Sequence, residues 1–124
     1  MAWIDFVTSY RPREGNVVNW SQGRPEIFTV RVEITNNMPW ELTGCEYHLL
    51  QINGPAQLVG VDPLPHIIKG EDIPANGGKR EKEFVLESTG VGNVDVSLEF
   101  KWKLDGTTLT YPITDTVSLA VAQG

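Results

Sequence analysis

Between Asn93 and Asp105 the chain alternates without a break. Val94, Val96, Leu98, Phe100, Trp102 and Leu104 fall on one side of an extended backbone, and Asp95, Ser97, Glu99, Lys101 and Lys103 fall on the other. Successive side chains of a strand point to opposite faces, so this window reads as a strand with one buried and one wet face. Such one-sided strands belong to antiparallel sheets, because parallel sheets are covered on both faces and their strands are apolar throughout. The same period governs Glu26 to Met38, where Phe28, Val30, Val32 and Ile34 oppose Thr29, Arg31, Glu33 and Thr35. Neither window carries the i, i+3, i+4, i+7 spacing of an amphipathic helix.

Elsewhere, 12 glycines and 8 prolines cut the chain of 124 residues into short pieces. Shorter strands are expected at Ala2 to Thr8, Cys45 to Leu49, Gln57 to Val61, His66 to Ile68, Glu83 to Glu87 and Ile113 to Val121. Asp105-Gly106 supplies the positive φ of a type I′ turn, so the strand before it should pair directly with the strand after it. Pro112 has no N–H to give a ladder and marks an edge position, a bulge or a strand that changes sheets. Seven or eight short strands with regular turn signals predict an all-β, antiparallel, immunoglobulin-like sandwich in one domain spanning 1–124. Its expected core is Phe28, Val30, Val32, Ile34, Cys45, Tyr47, Leu49, Phe84, Leu86, Val94, Val96, Leu98, Phe100, Trp102, Val117 and Leu119. Trp3 fits the core side of the first strand.

The stretch Val30-Arg31-Val32-Glu33-Ile34-Thr35-Asn36-Asn37-Met38-Pro39-Trp40-Glu41-Leu42-Thr43-Gly44-Cys45 runs as a strand ending in Thr-Asn, a proline loop, and a strand restarting near a cysteine. It resembles immunoglobulin-like accessory modules, among them the C-terminal β-sandwich domains of animal transglutaminases and modules of bacterial and archaeal surface proteins. Ile73-Pro74-Ala75-Asn76-Gly77-Gly78, ahead of another alternating strand, fits the same plan. The resemblance implies a non-catalytic module and carries over no catalytic residue. The single cysteine departs from the Cys–Trp–Cys core of antibody domains.

Charge narrows the function. Ten Lys and Arg against 16 Asp and Glu give a net charge of −6, opposite in sign to what phosphate contacts require, so nucleic acid is not an expected partner. No apolar run is long enough to span a bilayer. Cys45, His48 and His66 are the residues that could suggest nucleophilic catalysis. Alternation puts Cys45 inward with Tyr47 and Leu49 and turns His48 to solvent, so a thiolate–imidazole pair is not expected. Three Cys and His residues in all are too few for a zinc site. Asp62, Glu71 and Asp72 share one region but match no calcium loop, and read as solvated acids. Glu33, Glu99 and Asp95 sit on wet strand faces, where charge is the default. Gly77-Gly78 precedes a strand rather than a helix, so no phosphate cradle is indicated. No catalytic residue, metal or cofactor is expected.

The aromatic and basic residues outside the strands are more informative. Ser9 to Arg24 reads as a long loop carrying Arg11, Arg13 and Arg24, with Trp20 among them. Arginine and tryptophan dominate interface energetics, so Arg11, Arg13, Trp20 and Arg24 are the predicted binding residues. Trp40 should lie at the opposite end, beyond the strand that starts near Glu26. The expected function is a non-enzymatic module that binds a protein partner or a neighbouring domain. The alternatives are a carbohydrate-binding module using exposed loop tryptophans, a small protein inhibitor, or a structural subunit. Exposed, coplanar Trp20 and Trp40 would favour sugar; buried ones would favour a protein partner.

Overall fold

The computed structural model describes residues 3–12, 17–60, 63–104 and 108–124. Their strands are β1 (Ile4–Pro12), β2 (Val18–Ser21), β3 (Arg24–Pro25), β4 (Ile27–Asn36), β5 (Leu42–Asn53), β6 (Ala56–Leu58), β7 (His66–Lys69), β8 (Gly78–Ser88), β9 (Gly92–Leu104) and β10 (Thr110–Gln123). One sheet runs β1-β4-β8-β6 and the other β3-β2-β10-β9-β5-β7. The two pack face to face, with every residue of the expected core buried between them. The architecture is an immunoglobulin-like antiparallel β-sandwich, and no helix occurs among the described residues.

Three expectations need correction. The described residues form ten strands rather than seven or eight, because β2 and β3 lie in the segment expected to be a loop. These pieces have two and four residues, too short to show a period, yet Val18 is fully buried and docks β2 on the core. β2 also pairs parallel with the end of β10, through Val121↔Val18 to Gln123↔Trp20; every other pairing is antiparallel. Trp3 is 62% exposed rather than core. It precedes Ile4, whose side chain is the first of β1 to pack on the core.

β9 and β10 pair from Thr110↔Lys103 to Val121↔Gly92; the Asp105-Gly106 turn between them lies outside the described residues. Pro112 stands at an edge position, since the other side of β10 meets β2 only at its last residues. On that flank β10 neighbours β1, and Thr8 Oγ1 donates to Asp115 Oδ2 at 2.6 Å, tying the edges of the two sheets.

Each end of the sandwich is closed by a buried polar side chain. At one end Ser88 Oγ accepts the Glu26 N–H (2.9 Å) and donates to the Asn19 carbonyl (3.0 Å), joining β8 to β2 across the two sheets. At the other end Asn36 is fully buried. Its Nδ2 donates to the carbonyls of Trp40 (2.8 Å), Pro74 (3.1 Å) and Ile73 (3.3 Å), and its Oδ1 accepts the Met38 N–H (3.0 Å). Ile73 in turn exchanges two main-chain bonds with Leu42. Asn76 (φ 58°) and Gly77 (φ 101°) turn the chain back to donate to the carbonyls of Met38 and Asn36. Asn36 is therefore a side-chain clamp between two crossovers. Asn36→Ala removes every one of those side-chain bonds and should lower the unfolding free energy by about 3 kcal/mol in urea titrations. Asn36→Asp should be no milder, because a carboxylate cannot donate to three carbonyls.

Candidate functional site

Arg11 is the next-to-last residue of β1 and registers with Thr29 of β4, which registers with Val85 of β8. The Val59 N–H donates to the Val85 carbonyl, extending the row beyond β6. Alternation turns Phe28, Val30, Phe84 and Leu86 inward, so Arg11, Thr29, Val85 and Val59 lie side by side on the outer face of the four-stranded sheet. Ile27 adjoins them. Ile27, Val59 and Val85 are each more than 40% exposed. Beside them Arg11, Pro12, Ile27, Phe28, Thr29 and Glu83 line an open concavity of about 600 Å³. The neighbouring Arg31 is neutralised by Glu33 and Glu81. Arg11 has no ion-pair partner among the described residues.

The other predicted binding residues are placed differently. Arg13 lies outside the described residues. Trp20 sits in β2, between Gln123 and Pro25, and packs half-buried on the core. Arg24 is exposed in β3. Arg11, Trp20 and Arg24 share the end where β4 begins, but Arg11 belongs to one sheet and the other two to the opposite sheet.

Cys45, His48 and His66 do not assemble. The Cys45 thiol lies in the core, 3.8 Å from the Leu42 carbonyl. His48 faces the outer side of its sheet, as alternation requires, but it is buried rather than solvated. Between β9 and β7 it is surrounded by long side chains: Glu46 Oε1 is 3.0 Å from Nε2, Glu99 Oε1 is 3.9 Å from Nδ1, and Lys101 pairs with Glu99 at 3.6 Å. His66 registers with Leu49, four residues or about 13 Å along β5 from Cys45, and its ring meets the Phe84 ring edge-on. Glu71 sits 3.4 Å from Arg80 in an ion pair, and Asp62 lies outside the described residues.

A second surface was not legible in the sequence. At the far end from Arg11, Trp3 and Trp40 lie together with ring centroids 6.5 Å apart and planes 27° from parallel. The Asn37 N–H donates to the Trp3 carbonyl (2.8 Å), and the Asn37 amide to Asp5 Oδ2 (3.0 Å). Trp40 was singled out as a loop residue; its partner is Trp3, not Trp20.

Searches by sequence find no matching family model and no matching curated protein. Among solved structures the chain is similar to a Bordetella pertussis protein given the name ApaA, with 12% identity over 95% of this chain and 94% of that one and a TM-score of 0.54. It is also similar to an ASH/PapD-like domain of human CEP192, with 11% identity over 94% of this chain and 86% of that one and a TM-score of 0.46. At 12% identity the likeness to the Bordetella protein is one of fold alone. The expected likeness to transglutaminase domains is not shown.

Burial also sets the alkaline behaviour of this core. It pushes the Cys45 thiol from an ordinary 9.0 up to about 11, with the Asp72 charge adding to the shift and Arg80 opposing it. It raises the Tyr47 phenol as well, chiefly by desolvation. Between pH 9 and 11 the unfolded thiol has lost its proton while the folded one keeps it. The folded state then binds more protons, so stability falls as pH rises. Urea midpoints should hold from pH 7 to 9 and drop from 9 to 11, with a smaller drop in Cys45→Ala.

Proposed function

We propose that this chain is a non-enzymatic interaction module that holds a partner protein against the outer face of the β1-β4-β8-β6 sheet. The observation that carries the reading is the row Arg11, Thr29, Val85 and Val59 with Ile27 beside it: an arginine without an ion-pair partner among the described residues, next to exposed branched aliphatic side chains. Desolvated apolar contact supplies binding energy at such a surface, and arginine is enriched there because its planar fork matches a carboxylate. The fitting partner presents a carboxylate to Arg11 and an apolar strip to Ile27, Val85 and Val59. On a chain of net charge −6, a local positive group also orients an acidic partner as it approaches.

The expectation from sequence placed this contact on the end loops. Arg11 instead occupies a strand, which holds it more rigidly than a loop would. Affinity capture with the wild-type chain, Arg11→Glu and Val85→Glu in parallel tests the reading, followed by titration of whatever protein is captured. Both substitutions should weaken binding of the same partner at least about tenfold and leave the melting temperature nearly unchanged. Equal binding by all three proteins, or loss of stability in Arg11→Glu, would overturn it.

A further inference from the structure

Trp3 is 62% and Trp40 54% exposed, although a free tryptophan face on water is costly. The main chain beneath the two rings is also held in place. Asn36 Nδ2 binds the Trp40 carbonyl and the adjacent Asn37 N–H binds the Trp3 carbonyl. The dipeptide at the end of β4 thus fixes the main chain under both rings. Their planes diverge by 27°, and the Asn37 amide of the same dipeptide donates to Asp5, two residues after Trp3.

We infer that Trp3, Trp40 and Asp5 form a binding site for a neutral pyranose sugar. The surroundings of the pair carry the inference. A tryptophan anchor for a protein partner sits inside an apolar patch ringed by polar groups. Here a hydrogen-bonded carboxylate and amide lie in the same two segments as the rings, Asp5 two residues after Trp3 and Asn37 three before Trp40. That arrangement matches a pyranose, which has an apolar C–H face and a rim of hydroxyls. The C–H face stacks on the electron-rich indole, and a hydroxyl donates to the Asp5 carboxylate, whose oxygens accept several bonds. A main chain fixed before the ligand arrives lowers the ordering cost of binding. Asp5 and the net charge of −6 select against acidic sugars.

The site is separate from the Arg11 surface. Asp5 and Arg11 are six residues apart on β1, about 20 Å. Either reading can therefore fail without the other.

Cellotetraose, chitotetraose, maltotetraose and mannotetraose, with tetragalacturonate as the acidic control, should be titrated to about 10 mM, the range of a weak single site. Intrinsic tryptophan fluorescence and calorimetry provide the readouts. At least one neutral sugar should bind saturably and tetragalacturonate should not. Trp3→Ala and Trp40→Ala should each weaken binding at least about tenfold with melting temperatures close to wild type, while Arg11→Glu binds sugar normally. The inference is overturned if no neutral sugar binds, if binding survives both alanine variants, or if the acidic sugar binds as well. A response to tetramethylammonium alone would assign the rings to a cation instead and overturn it equally.

Discussion

Leaving a buried polar group without a partner costs on the order of 1–3 kcal/mol, and Asn36 avoids that cost by binding four main-chain groups at once. Those groups belong to two crossovers that otherwise share few constraints: the loop from β4 to β5 and the turn into β8. Once the amide is satisfied, Ile73 is carried onto Leu42 as a core residue, and Trp40 is fixed where it meets Trp3. The clamp therefore links interior packing to an exposed surface. A hydrophobic residue of similar size could fill the same space but could not specify where the two loops lie.

The sheets handle their margins in different ways. β3, β6 and β7 are two to four residues long and offer little ladder to an intruding strand. The open stretch of β8 carries Lys79, Arg80, Glu81, Lys82 and Glu83, with Arg80 and Lys82 on the inward side. Charge that must be desolvated to pair is a defence against edge-to-edge association. Inside, close approach replaces charge as the constraint. Gly70 lies so near the Tyr47 ring that an added Cβ would sit 2.4 Å from it. That position is closed to every other residue unless β5 or β7 shifts.

The period of two made the interior legible. The apolar residues recurring at alternate positions in β4, β8, β9 and β10 are buried, except Leu104 and Ile113, which are half-buried. What the period could not reveal were apolar residues standing alone. Val18, Leu42 and Ile73 are fully buried, but the first two open their strands and the third lies between strands, and the burial of each depends on a partner far along the chain. His48 shows the complementary limit: alternation gives the direction of a side chain, while burial depends on the neighbouring strands. The candidate sites divide the same way. Arg11 could be singled out by type, but its row needed the register of β1, β4 and β8. The Trp3–Trp40 pair joins the start of one strand to the loop after another, a contact that no local pattern encodes. Asn36 had a sequence signal as a turn former; its role as a buried clamp follows only from the fold.

β2 is attached to its sheet through Val121 to Gln123 of β10 and through the Gly124 N–H on the Trp20 carbonyl. It also pairs with the two-residue β3, accepts a hydrogen bond from the Ser88 hydroxyl and donates one to the Glu26 carboxylate. Roughly a hundred residues separate the paired segments, so the entropy of closing that loop must be met before the contact returns any energy. The β9–β10 pairing forms across a short connection and supplies the template on which β2 docks. The clasp therefore has little to hold it until β9 and β10 have paired. Trp20, itself part of that clasp, loses its packing on the core whenever the clasp opens.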